Sequence, residues 1–98
     1  MSTTDSLVES ASSSRELEYL GLLQEEAAEI IQIISKIKRF GYYSYHPADI
    51  YKTPNITLFH RELADFEAII ALLNDLKIID LSNVSSLAVE KKKKLIMY

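Results

Sequence analysis

The chain has no cysteine, and only two glycines and two prolines punctuate its 98 residues. Without cysteine there can be no disulfide and no thiolate metal site, so a metal would have to be held by oxygen ligands or by His46 and His60. No apolar run approaches the roughly 18 to 20 residues that cross a bilayer. A formal charge of −3 supplies no general basic surface for a nucleic acid polymer. The N-terminal residues lack the basic-then-apolar pattern of a signal peptide, and a soluble, cytoplasmic protein is expected. A single core in a chain this short is of limited stability unless a metal or oligomerisation adds to it, so a metal or a partner subunit is expected too.

What is present is helical in period. Residues 1–13, rich in serine and threonine, read as a flexible lead-in, with one helical domain over 14–98. Ser13 and Glu16 have capping-box spacing, which predicts a helix from there to Phe40 with Gly41 as its stop. Gly21 lies inside that helix and allows a kink or a second start. Residues 41–55, GYYSYHPADIYKTPN, hold both prolines and four of the six tyrosines and read as a long connecting loop. A second helix is predicted from about Thr57 to Asp75. After a break around Asp80 to Asn83, with Ser82 or Ser85 as cap, a third helix is predicted to reach the C-terminus. Nothing alternates like a strand, so the fold class is all-α, a helical bundle completed by oligomerisation.

Acid falls where apolar residues are expected. Leu22, Glu26, Glu29 and Ile33 are spaced by four, three and four, and so form one line on the first helix that continues to Lys36 and Phe40. Leu58, Glu62, Asp65 and Ile69 repeat that spacing on the second helix, at an offset of 36 residues that also pairs Ala28 with Ala64 and Ile34 with Ile70. If the two helices pack together, four carboxylates meet. Burying them as anions without a positive partner is costly, and an oxygen-only cluster suits Mg²⁺, with Mn²⁺ as the alternative. The competing reading of Glu25 and Glu26 is an ordinary solvated acidic run. Glu25 is one residue out of phase and is placed to contact water or another carboxylate.

The segments LLQEEAAEIIQIISKIKRFG and NITLFHRELADFEAIIALL together resemble the MazG-like all-α nucleotide pyrophosphohydrolases, in particular the short single-domain forms of phage and bacterial genomes. The matching signature is Glu25, Glu26 and Glu29 followed by Glu62 and Asp65, and the resemblance spans about Leu17 to Leu76. SKIKRFG and Asn55 also look like the phage-type members. The gap between the two motifs is longer than in compact members, so base preference is not carried over. The resemblance implies hydrolysis of a nucleoside or deoxynucleoside triphosphate to the monophosphate and pyrophosphate. Glu26, Glu29, Glu62 and Asp65 would be metal ligands, and Glu25 or Glu26 would be catalytic.

Several further residues could contact substrate. Lys36 and Arg39 could reach the phosphates or simply favour a helix C-terminus. Asn55 could cap the second helix or touch the base. Lys91 and Lys94 share a face of the last helix and could meet the substrate or only solvent. Tyr98 could stack on a base. Two other functions compete with a broad hydrolase: a dUTP- or dCTP-specific housecleaning enzyme, and a catalytically silent module that binds a partner through its isoleucine and leucine faces. Leu23, Ala27, Ile30, Ile34 and Ile37 widen the apolar face beyond one partner helix, which predicts a homodimer or homotetramer.

Overall fold

The structure, a computed structural model, describes residues 14–97 and consists of three α-helices: α1 (Ser14–Phe40), α2 (Asn55–Asp75) and α3 (Leu81–Ile96). Among the described residues there is no strand, and the all-α class is as the periodicity predicts. The predicted lead-in, 1–13, and Tyr98 lie outside the described residues, as does Ser13 of the expected capping box.

Helix α1 runs unbroken through Gly21, so that glycine starts no second helix. It ends where expected. Gly41 takes a left-handed φ of 94° and donates its backbone N–H to the Ile37 carbonyl at 2.8 Å, which closes the last turn. The chain then reverses, and α2 packs antiparallel to α1. Lys36 and Phe40 line a common cavity with Asn55 and Leu58, Glu26 lies beside Glu62 and Asp65, and Ala27 lies near Phe66.

The reversal is made by the 41–54 loop, which doubles as the N-terminal cap of α2. The first amides of a helix have no partner inside it, and here main-chain carbonyls supply one. Asn55 and Ile56 donate their N–H groups to the Ser44 and Tyr42 carbonyls, both at 2.8 Å, while Thr57 and Leu58 donate to Pro54. This corrects two expectations. Helix α2 starts at Asn55 rather than near Thr57, and Pro54 occupies the cap position without any side-chain bond. The Asn55 side chain does not cap. It is 5 % exposed, and its Nδ2 donates to the Gly41 carbonyl at 3.1 Å, pinning the start of α2 to the end of α1.

Helix α2 ends at Asp75 as expected, and Lys77 turns the chain with a φ of 61°. The cap of α3 is Asp80, not Ser82 or Ser85. Its carboxylate accepts from the Ser82 and Asn83 backbone N–H groups, and the Ser82 hydroxyl donates to the same carboxylate at 2.7 Å. Asn74 Oδ1 accepts from Leu81 N–H at 2.9 Å and so ties the entry of α3 to α2. Beyond that junction α3 stands away from the hairpin. Every residue of it after Leu81 is exposed, and it touches α2 but not α1.

The outcome is an extended shape. The radius of gyration is 18.0 Å, against about 13 Å for a compact domain of this length. Among the described residues only Ile33 and Leu73 are buried apolar side chains, at 4 % and 1 % exposure.

The two glycines predict opposite responses to alanine. A Cβ at Gly21 meets nothing within 4 Å, so Gly21→Ala gains helix propensity, and stability should rise by about 0.5 to 1 kcal/mol. A Cβ at Gly41 also meets nothing, but its positive φ strains any L-residue, and Gly41→Ala should cost about 1 to 2 kcal/mol. Urea unfolding of both variants checks the signs.

Candidate functional site

The antiparallel packing turns the two acidic lines toward each other. Carboxylate oxygens of Glu26, Glu62 and Asp65 lie within 4.8 Å of one another, and Glu29 is within hydrogen-bonding reach of Glu62. The 36-residue repeat fits this arrangement. Glu26 of the first motif thus meets Asp65 of the second, and Glu29 of the first meets Glu62 of the second.

Like charges and partial burial act on these groups together. Glu62 is pushed up to about 7, first by its contact with Glu29, then by burial and by Glu26. Glu26 is raised by burial and by the charges of Glu29 and Asp65. Glu26 Oε2 and Glu62 Oε2 are both shielded from solvent and lack any hydrogen-bond partner among the described residues. Native proteins rarely leave such oxygens unpaired.

This donor set fits a divalent cation. The oxygens are hard and convergent, and one each on Glu26 and Glu62 is unpartnered among the described residues, which suits Mg²⁺ or Mn²⁺. His46 and His60 are exposed and take no part in the cluster.

The other residues singled out from sequence are placed unevenly. Glu25 is exposed and stands outside the cluster, although it neighbours Glu29 one helical turn on. Lys36 is in position, lining with Glu29, Gln32, Ile33, Leu58 and Glu62 a recess of about 240 Å³ beside the acids. Arg39 is exposed, and its guanidinium sits 5.1 Å from the centre of the Phe40 ring. Asn55 lines a second, larger cavity. Lys91 and Lys94 are exposed on α3, which makes no contact with α1, so one chain does not bring them to the acids.

Sequence reasoning left several residues of the second cavity unassigned, among them Phe40, Tyr45, His46 and Thr53. A signal for the loop's rigidity lies in HPAD: an aspartate shortly after a proline favours an Asx turn. Asp49 accepts from the Tyr51 and Thr53 backbone N–H groups, each at 2.9 Å, and these bonds, Thr53's first, hold its carboxyl below the usual range. Gln32 was likewise unassigned, though it lies three residues after Glu29 and four before Lys36, on the same side of α1.

Comparison of the chain with protein-family models, with curated proteins and with solved structures gives no match.

The cluster sets an unusual pH dependence. In the cation-free protein Glu62 titrates at about 7 when folded and near 4.5 when unfolded. Between those values the folded chain holds a proton that the unfolded chain has released, so stability falls as pH rises and levels off above about 7. Asp49 and Asp80, both lowered, have the opposite slope, but only in more acid solution. In EDTA the melting temperature should therefore fall from pH 5 to pH 7.5, and Glu62→Gln should flatten that decline.

Proposed function

We propose that this protein hydrolyses a nucleoside or deoxynucleoside triphosphate to the monophosphate and pyrophosphate, with Mg²⁺ as its cofactor and Mn²⁺ as a substitute. The observation that carries this reading is the pair of solvent-shielded oxygens on Glu26 and Glu62, unpartnered among the described residues and set beside the carboxylates of Glu29 and Asp65. The resemblance of the Glu25, Glu26, Glu29 and Glu62, Asp65 motifs to the MazG-like pyrophosphohydrolases, carried by the same acids, supports it.

The roles follow from position. Glu26, Glu29, Glu62 and Asp65 would hold the cation, which when bound neutralises phosphate oxygens and acidifies water. The reaction joins a water oxygen to phosphorus as the bridging bond between the α and β phosphates breaks, and the bond's electron pair leaves with the departing phosphate group. The water's proton needs an acceptor. Glu25, exposed and next to Glu29 on the helix surface, is the carboxylate free for that task. Lys36, in the wall of the acidic recess, would meet the phosphate tail. Arg39, one turn further on, would reach it only from the rim.

We also propose that the active form is a homodimer or homotetramer. Leu17, Ile31, Leu87, Val89, Leu95 and Ile96 are all more than half exposed, and burying one such side chain fully is worth about 1.5 to 3 kcal/mol. A second copy laid along α1 and α3 would cover them and complete the bundle. Lys91 and Lys94, remote from the acids of their own chain, would then be available to a neighbour's site. The silent-module reading draws on the same apolar faces but leaves the orphaned carboxylate oxygens without a purpose.

Incubation with each common triphosphate and Mg²⁺ should release pyrophosphate, stop with EDTA and resume with Mn²⁺. Orthophosphate as the first product would overturn the cleavage position, and no turnover on any triphosphate would overturn the enzyme. Light scattering at micromolar concentration should give a dimeric or tetrameric mass, whereas a monomeric mass would contradict the assembly.

A further inference from the structure

A second cavity, of about 370 Å³, lies between the 41–54 loop and the ends of α1 and α2. Its volume is within the roughly 300 to 1,000 Å³ of small-molecule sites. Phe40, Tyr45, His46 and Pro47 give it flat, ring-bearing walls, with Leu58 from α2 and Lys36 from α1. Lys36 and Leu58 line the acidic recess as well, so the two hollows adjoin through shared side chains. Along α1, Lys36 stands two turns beyond Glu29, about 10 Å along the axis.

We propose that this cavity receives the nucleoside end of the substrate, with the base against the rings of Phe40, Tyr45 and His46 and the phosphates running past Lys36 to the acids. The proposal rests on the hydrolase reading for the direction of the phosphates, but the cavity itself argues for what fills it. A nucleobase is a flat π-system with polar edges, and stacking on aromatic rings holds it without regard to sequence. The walls here pair rings with the polar residues Ser44, His46, Asp49, Thr53 and Asn55, and the Asp49 carboxylate is already engaged by the Tyr51 and Thr53 backbone N–H groups. The Ala48 backbone N–H donates to His46 Nδ1 at 3.0 Å, so the neutral ring carries its proton on Nε2 and offers a donor there.

The loop is also built to hold a shape. Asp49 fastens it internally through Tyr51 and Thr53, Asn55 ties it to Gly41, and the Tyr42 and Ser44 carbonyls are committed to the first amides of α2. A preformed pocket loses little entropy on binding. The length of the loop, the feature that separates this chain from the compact forms it resembles, thus becomes the source of base recognition.

The test separates base binding from turnover. Isotope-labelled protein in EDTA is titrated with the monophosphates of the common ribo- and deoxyribonucleosides, and with ribose 5-phosphate as a ligand without a base. At least one monophosphate should shift the ring signals of Tyr45, His46 and Phe40, and ribose 5-phosphate should leave them unmoved. Tyr45→Ala and Phe40→Ala should each weaken that binding about tenfold or more. Phe40 and Tyr45 are 61 % and 43 % exposed, so neither is a core side chain, and the map on the unaltered protein stands even if a variant misfolds. In turnover, the same variants should raise KM far more than they lower kcat. The proposal falls if no monophosphate binds, if ribose 5-phosphate gives the same shifts, or if the shifts map away from the loop. Binding at the loop without hydrolysis of any triphosphate would sustain the pocket and sink the enzyme reading, and hydrolysis with base shifts elsewhere would do the reverse.

Discussion

Four carboxylates face one another across the seam of an antiparallel helix pair, and the cost of holding them there governs the rest of the structure. Two of their oxygens have no hydrogen-bond partner among the described residues, and the neighbouring acids push Glu62 up to about 7. A seam designed only for stability would fill those positions with leucine, as Leu58 does one turn before Glu62. Acid at the central positions therefore trades stability for a convergent set of oxygen donors.

Rigidity around the cluster comes from main-chain bonding rather than from a large core. Among the described residues only Ile33 and Leu73 are buried apolar side chains, so the hairpin depends on how its closed end is tied. At one end Gly41, Asn55 and the loop carbonyls lock the exit of α1 to the entry of α2. Further along, Asn74 and Asp80 set where α3 begins. The acids lie between these anchors, and the loop that forms the first anchor also walls the cavity beside them. Structural support and the wall of that cavity thus share one segment of chain.

Much of this was legible in the residues because it depended on periodicity. The four-three-four spacing put Glu26, Glu29, Glu62 and Asp65 in line with apolar residues, and two amphipathic helices joined by a loop can pack only by bringing those lines together. The helix stops at Gly41 and Asp75 were equally local. The start of α2 was not, because its cap comes from the Tyr42 and Ser44 carbonyls, and main-chain acceptors leave no trace in side-chain identity. Asn55, a common capping residue, was drawn instead into a bond with Gly41, fourteen residues away. At α3 two serines looked like caps, but the ionised Asp80 carboxylate is the stronger acceptor and won the position. The cavity was illegible residue by residue, since it exists only after the loop has folded over both helix ends.

The central claim is that the acidic seam is a cation site and not a structural charge cluster. Thermal unfolding of the wild type, Glu26→Gln and Glu62→Gln in EDTA and in Mg²⁺ tests it most directly, because it requires no knowledge of the substrate. A cation that binds only the folded state stabilises it by mass action, and glutamine keeps side-chain shape while removing one charge. Both variants should melt no lower than wild type in EDTA, and wild type alone should gain substantially from Mg²⁺. Variants that melt lower in EDTA and respond to Mg²⁺ as wild type does would contradict the account.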